Sequence, residues 1–299
     1  MGRFREATLE GRADGGRVLG DVDIEAALAI CALDPVASVL GAMRIESAAR
    51  SGLRDSGGQL WGFEVDGELR AICWAGANLV PVVPSGVDGA LDAFAALGRL
   101  QGRRSSSIVG EAQAVLGLWD RLSASWPQAR EIRANQPSMV IDHDPWVAPD
   151  PLVRRTSPGE YDVVLPACVQ MFIEEVGYSP VSGPHGPYES RVRSLIESGR
   201  SFVRIDDRAE GRRAVAGVVF KAELGAVAGG VAQVQGVWVA PGDRGRGLSK
   251  SGMAAVVAQT RRDVASTVSL YANDYNERAL AAYRAVGFRQ VGTYATVLF

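Results

Sequence analysis

Residues 239–249 read Val239-Ala-Pro-Gly-Asp-Arg-Gly-Arg-Gly-Leu-Ser249. The apolar, β-branched run Ala232–Val239 before them predicts a strand, and Leu248 to Val264 after them predicts a helix. A glycine-rich bend between a strand and a helix turns backbone N–H groups toward one point. The helix N-terminus adds about half a positive charge there. Gly245 and Gly247 permit close backbone approach, while Arg244, Arg246 and Lys250 supply cations. A diphosphate suits such a bend. The bland alternative is a capped turn with solvated arginines, which short Gly/Arg turns more often are. The strand before and the helix after favour the anion site.

Downstream, Asn276-Glu-Arg-Ala-Leu-Ala-Ala-Tyr283-Arg-Ala-Val-Gly287-Phe288 predicts a helix capped by Asn276 and ended by Gly287. Asn276 and Tyr283 lie seven residues apart, near two turns, and so share a face. A capped helix with a core tyrosine is the plainer reading of this segment taken alone. Between the motifs, Thr267–Ala272 predicts a strand. Upstream, the expected elements are a strand at Leu152–Thr156, a helix opened by Ser157-Pro158 and a helix over Tyr188–Glu197. Strands at Ser201–Asp206 and Ala214–Ala222 follow, with connections at Asp206–Arg213 and Leu224–Gly230. The tail from Phe288 reads as a last strand. The order β-α-α-β-β-β-α-β-α-β is an α/β fold with a mixed sheet.

In order and spacing the two motifs resemble the GNAT superfamily of N-acetyltransferases, over about residues 151–299. The family's Arg/Gln-x-x-Gly-x-Gly/Ala signature appears as Arg244-Gly-Arg-Gly247-Leu-Ser249, with a small serine at the last place. Its later Asn-x-x-Ala, Tyr and Gly-Phe pattern appears as Asn276, Ala279, Tyr283, Gly287 and Phe288. The resemblance implies acetyl-CoA as cosubstrate, with no metal. Arg244, Gly245, Arg246, Gly247, Leu248, Ser249 and Asn276 are its implied coenzyme contacts, and backbone groups near Val237 and Val239 would hold the pantetheine. It implies a fourth strand, Gln233–Val239, splayed from a fifth, Thr267–Ala272. Tyr283 takes the place of the tyrosine that protonates the leaving thiolate. Many members carry a glutamate base where this chain has Gln233, and a carboxamide cannot take up a proton usefully. Gln233 and Gln235 would then orient water or acceptor. Glu223, Glu174 and Glu175 are the substitute carboxylates, the last two more readily read as a solvated helix end.

The clearest seam is His143 to Pro158, whose four prolines forbid a continuous helix or central strand. It divides the chain into residues 1–148 and 149–299. In the first part, helices are expected at Ile24–Ala32, Val36–Ser51, Gly89–Leu100 and Glu111–Ser123. Strands are expected at Leu60–Val65, Leu69–Ala75, Asn78–Val83, Ser106–Val109 and Ser138–Asp142. That order repeats the second part and suggests an internal duplication, a tandem arrangement that mycothiol synthases also show. The phosphate turn is not repeated: Pro84-Ser-Gly-Val-Asp-Gly89 stands in its place, with an acid and no arginine. The first half is therefore expected to be a degenerate GNAT-like domain, structural or acceptor-shaping.

Composition narrows the remaining classes. The 299 residues are 47% hydrophobic and 22% charged, with a net charge of −2, which argues against general nucleic-acid or membrane binding. No apolar run approaches a membrane span. The N-terminus has no apolar leader, and Glu6 sits where a myristoylation signal after Gly2 wants Ser or Thr. Cys31, Cys73 and Cys168 lie scattered among apolar neighbours and read as buried thiols in a reducing cytoplasm. With His143 and His185 the only histidines, a zinc site is not expected. His185 reads as a solvated loop residue or as an acceptor contact. Trp61, Trp74, Trp119, Trp126 and Trp238 read as core.

Three functions fit. The first is an N-acetyltransferase acting on a small-molecule, amino-acid or peptide amine, with a homodimer compatible. The second is a non-catalytic acyl-CoA sensor or partner-binding module, which Gln233 favours and Tyr283 does not. The third, a doubled transferase using charged transfer RNA, is opposed by the intact phosphate turn and the lack of basic surplus.

Overall fold

The computed structural model describes residues 15–181, 186–210 and 213–299. The N-terminal residues 1–14 and His185, on which expectations were placed above, lie outside them. The chain forms two compact units, one of residues 1–136 with 293–299, the other of residues 137–292. The division thus falls before the proline-rich seam and again near the C-terminus, and the stretch around Pro149 lies within the second unit. Trp146 N–H donates to Val286 O at 2.9 Å, and Asp150 N–H to Ser251 O at 3.0 Å. Prolines keep that segment out of regular structure without freeing it.

The first unit runs β1 (Gly16–Val18), α1 (Ile24–Ala32), α2 (Pro35–Ser51), β2 (Gln59–Val65), β3 (Glu68–Ala75), β4 (Asn78–Val82), α3 (Ala90–Gln101), β5 (Ser107–Glu111) and α4 (Ala112–Leu122). β6 (Glu131–Ile141) then carries the chain into the second unit. Strands β1 to β4 pair antiparallel in sequence order. β4 and β5 run parallel, joined only at Asn78↔Ser107 and Leu79↔Ile108. The Asp66-Gly67 turn joining β2 and β3 has positive φ at both residues, as a tight hairpin with right-handed twist requires. The core holds Trp61, Phe94, Ile108, Leu118, Leu122 and Trp126.

The second unit continues with β7 (Arg154–Arg155), α5 (Tyr161–Val176), α6 (Pro187–Glu197), β8 (Ser201–Glu210), β9 (Arg213–Ala228), β10 (Val231–Val239), α7 (Leu248–Asp263), β11 (Thr267–Tyr271), α8 (Glu277–Val286) and β12 (Arg289–Leu298). The strands β7-β8-β9-β10 are antiparallel neighbours, and β10 and β11 run parallel. Ser138–Ile141 of β6 closes this unit against β11, and the end of β12 closes the first unit against β5. The element order of one half is repeated in the other, as the duplication reading expects. The result is a mixed α/β fold.

Four local expectations need correction. The connection placed at Asp206–Arg213 is largely strand, since β8 runs on to Glu210 and β9 begins at Arg213. β1 was not foreseen, being three residues long. Residues 224–228 are strand and not connection, because Leu224, Ala226 and Ala228 alternate into the core and leave Gly229-Gly230 to turn the chain at positive φ. β6 begins at Glu131, well before Ser138, and carries Pro137 within it.

Candidate functional site

β10 and β11 are hydrogen-bonded only from Val231↔Thr267 to Gln233↔Ser269. Beyond Gln233 the two strands have no further partners in common, so the edge of β10 toward β11 is open as far as Val239. On its other edge β10 stays with β9, through register shifts at Gln233/Val234 and Gln235/Trp238. The second shift is a bulge centred on Gly236, whose φ is +60°. Ala240 N–H donates to Val219 O. Successive residues of a strand turn their peptide groups to opposite edges, which directs Val239 to the open one.

The chain leaves β10 through Ala240 and one turn of 3-10 helix, Pro241–Asp243, before reaching α7. Gly245 and Gly247 both have φ near +80°, and Gly247 caps α7 in the left-handed conformation. A Cβ on either would meet nothing within 4 Å, so the bend is open on its outer side. Among the described residues, no intramolecular acceptor meets the N–H groups of Gly245 through Ser249. These are the unsatisfied donors that begin a helix, and they share the positive end of the α7 dipole. Arg244 bonds Val239 O through Nε at 3.0 Å and Glu174 through Nη2 at 2.6 Å, and Arg246 bonds Asp243 at 2.8 Å. These side chains flank the bend and leave it unplugged. An oxyanion group such as a diphosphate would find five N–H donors and two guanidinium groups here.

On α8, Asn276 Oδ1 accepts from Ala279 N–H at 3.2 Å, so its oxygen is spent on the cap. Tyr283 is 7% exposed and packs in the core cluster that includes Val234, Val237, Val239, Leu270 and Met253. The phenol therefore belongs to the same body as the open edge of β10. Burial first, then the charge of Glu175, push its pKa up. It stays protonated through neutral and moderately alkaline pH.

A buried polar cluster lies behind the bulge. Lys221 is fully buried and its Nζ donates to Glu223 Oε1 at 2.7 Å, to Gly236 O at 3.0 Å and to Met171 Sδ at 3.5 Å. Arg191 stands 4.0 Å from Glu223 Oε2, and the Cys168 thiol donates to Oε1 at 3.7 Å. Burial alone would raise the Glu223 pKa. The charge and hydrogen bond of Lys221, with Arg191 and Gln235, outweigh burial and hold the carboxyl below its ordinary value. Burial alone would likewise lower Lys221, but the charge of Glu223 prevails and holds the ammonium above its ordinary value. The cluster also fixes the bulge glycine: a Cβ at Gly236 would lie 3.2 Å from Lys221 Nζ and 3.3 Å from the Glu223 carboxylate. Burial pushes the Cys168 thiol up to about 12, so it is inert as a nucleophile at neutral pH.

Comparison with known proteins fits this geometry. Residues 169–288 match the model of the acetyltransferase (GNAT) family. This region of the chain belongs to the GNAT family. Residues 58–164 match a domain of unknown function, DUF4081. Among curated proteins, none matches by sequence. Solved structures with the same fold include a Drosophila protein, 12% identical, TM-score 0.64, covering 96% of this chain and 99% of that one. A GCN5-related N-acetyltransferase from Sphaerobacter thermophilus is 17% identical, TM-score 0.54, with 95% of each chain covered. A tandem GNAT protein from the clavulanic acid biosynthesis pathway is 13% identical, TM-score 0.51, covering 95% and 98%.

Within the GNAT region the sequence-expected residues separate into two groups. Val237, Val239, Tyr283 and the bend from Arg244 to Ser249 are brought onto one body around the open edge of β10. Two of the three candidate carboxylates are engaged by cations. Glu223 is locked to Lys221, and Glu174 holds Arg244. Gln233 is 2% exposed, and Gln235 reaches over Gly225 toward Glu223. Lys221, Tyr188 and Arg191 were missed as members of this cluster. The signal was present in Phe220-Lys-Ala-Glu-Leu224, where two opposite charges two residues apart share one face of an otherwise apolar strand. Tyr188 completes the group by donating to Cys168 O at 2.8 Å.

In the first unit, Gly86 and Gly89 keep positive φ in the counterpart bend, which carries no cation. Trp61, Trp74, Trp126 and Trp238 are buried, while Trp119 packs edge-on against Phe299 at 5.5 Å. His143 stacks on the exposed Trp146, with ring centroids 5.4 Å apart. All three cysteines are free and buried. Among the described residues no helix is long and apolar enough to cross a membrane, and no group of metal-ligating side chains is found.

Proposed function

We propose that the second unit is an acetyl-CoA-dependent N-acetyltransferase that acts on the primary amine of a small molecule, an amino acid or a peptide. The observation that carries this reading is the open bend from Arg244 to Ser249, with its unclaimed N–H groups directly after the unpaired edge of β10. The donor set fits coenzyme A: N–H groups and arginines for the diphosphate, and strand-edge peptide groups at Val237 and Val239 for the pantetheine amides.

 The coenzyme would supply the activated acetyl group as a thioester. The chain's own part is then to hold and to move protons. A strand-edge N–H donates to the thioester oxygen as the acetyl carbon becomes tetrahedral. With acceptor and thioester bound, a new C–N bond would form as the C–S bond breaks, and the Tyr283 hydroxyl would give its proton to the departing sulfur. Water carries off the proton that the nitrogen releases, since Glu223 and Glu174 are both held by cations. Holding acceptor and thioester together supplies much of the rate without a direct base.

Those ion-paired carboxylates, with Gln233 where many family members carry a base, also favour a second reading, in which the unit binds an acyl-CoA as a sensor. Calorimetry with coenzyme A and a thiol-release assay over a panel of amines separate the two. Micromolar binding with turnover that falls at least a hundredfold in Tyr283→Phe supports the transferase. Binding with no turnover on any amine supports the sensor, and absence of binding removes both.

A further inference from the structure

The first unit holds a cavity of about 390 Å³ that is unconnected with the counterpart of the coenzyme bend. It is lined at the start of β4 by Ala77 and Leu79, whereas the degenerate bend, Pro84–Gly89, follows the end of that strand. Its volume falls within the range of small-molecule sites. Trp61, Leu79 and Trp126 form an apolar wall, all at least nine-tenths buried. Arg54 and Arg104 line the same cavity, and no Asp or Glu does. Among the described residues neither arginine has a hydrogen-bond or carboxylate partner, although most arginines of this chain are paired. Ser105 also lines the cavity. It is 2% exposed, and its hydroxyl meets no hydrogen-bond partner.

A buried hydroxyl without a partner is costly in a folded protein and calls for an explanation. Two unpaired guanidinium groups beside it make the lining cationic, and carboxylate or phosphate oxygens are what guanidinium groups bind most strongly. Four glycines, two alanines and the uncharged Gln59 and Gln101 complete the lining, and Gln59 Oε1 accepts from the Trp61 indole N–H at 3.2 Å.

We propose that this cavity binds a small organic anion, a flat apolar ring bearing an oxyanion group. The ring lies against Trp61, Leu79 and Trp126, the oxyanion pairs with Arg54 and Arg104, and the Ser105 hydroxyl donates to it. The first unit thus has a ligand site of its own, independent of whether the second unit transfers acetyl groups.

The test is calorimetry on the full chain without coenzyme, using indole-3-acetate and 2-naphthoate as probes, tryptamine as the cationic counterpart and inorganic phosphate as the bare anion. Submillimolar binding of the ring anions is expected, with tryptamine and phosphate at least tenfold weaker. Arg54→Glu and Arg104→Glu, both at exposed side chains, should each weaken ring-anion binding at least tenfold with the thermal midpoint unchanged. Ser105→Ala should weaken it about threefold to tenfold. Failure of every ring anion to bind overturns the proposal. So does equal binding of tryptamine, or affinity untouched by both charge reversals. Phosphate binding as tightly as the ring anions would overturn the role of the apolar wall.

Discussion

Lys221→Met leaves the Glu223 carboxylate buried with its main counter-charge gone. In the native protein Lys221 is fully buried, and the Glu223 side chain is 8% exposed. Removing one member of a buried pair costs about 3–5 kcal/mol, because the remaining charge is uncompensated. Arg191 is still present, but it is 43% exposed and 4.0 Å away, so it screens the carboxylate only in part. The expected loss is therefore near the lower end, about 3 kcal/mol, or roughly 6–12 °C in melting temperature for a unit of this size.

The pH dependence distinguishes this mechanism from a simple packing defect. In the native protein Glu223 sits below its ordinary value, so its stabilisation is present above about pH 4.3 and lost as pH falls through the lower folded value. Lys221 sits above its ordinary value, so its stabilisation is present below about pH 10.4 and lost as pH rises through the higher folded value. In Lys221→Met, burial dominates and raises the Glu223 pKa. The penalty is then full at neutral pH and shrinks on acidification as Glu223 takes up a proton. Chemical denaturation at pH 7.5 and pH 5 should show the gap to native narrowing by at least about 1 kcal/mol, the worth of less than one pKa unit. The double variant Lys221→Met/Glu223→Leu should recover most of the loss at pH 7.5, since apolar replacement of a buried pair is often neutral. A loss below about 1 kcal/mol in the single variant, a gap independent of pH, or no recovery in the double variant would refute the reasoning.

Three further outcomes are expected. Gly247→Val forces a β-branched side chain into φ +80° and puts a Cβ where the bend is open, so coenzyme A affinity by calorimetry should fall at least about tenfold, with about 1–3 kcal/mol of strain. Glu174→Gln releases Arg244 from its exposed ion pair, and coenzyme A affinity should rise by about twofold to fivefold, the worth of such a pair, while affinity at high salt changes less. Gly287→Ala meets φ +117° and a His143 Cε1 contact at 2.8 Å, so urea denaturation should show a loss of about 2–4 kcal/mol, partly recovered when His143 is also changed to Ala.

Most of the second unit could be read from the sequence because its elements carry their own punctuation. Asn276 and Gly287 bracket α8 within a residue, and Gly247 stands as the cap of α7. The repeated order of elements was legible for the same reason. What escaped was non-local. Nothing in Thr293–Phe299 announces that these residues complete the first unit by pairing with β5, and nothing around Ser138 announces that it pairs with β11. A strand's pattern reports which faces are buried, not which neighbour it finds. The site divided along the same line. The glycine-arginine bend is a contiguous motif, visible in one stretch of chain. The fate of Glu223 depended on Lys221, Arg191, Cys168 and Gly236, which only the folded sheet brings together.

The two halves also show why a shared order of elements does not carry a shared chemistry. The bend after β10 and the bend after β4 each join a strand to a helix, and both contain glycines at positive φ. Both bends are largely open: Gly245 and Gly247 have free space where a Cβ would be, as does Gly86, although Val87 and Gly89 of the first bend pack against the core. Stability therefore places little constraint on the charges these bends carry, and the first can exchange arginines for Asp88 without loss of its core. The reverse holds for Lys221 and Glu223, which are set into a sheet and whose loss one at a time would be felt throughout the unit. An anion site built on an exposed bend would be lost by few substitutions, whereas the bulge behind it, pinned at the Gly236 carbonyl by a buried ammonium, cannot be altered without the structure registering the change.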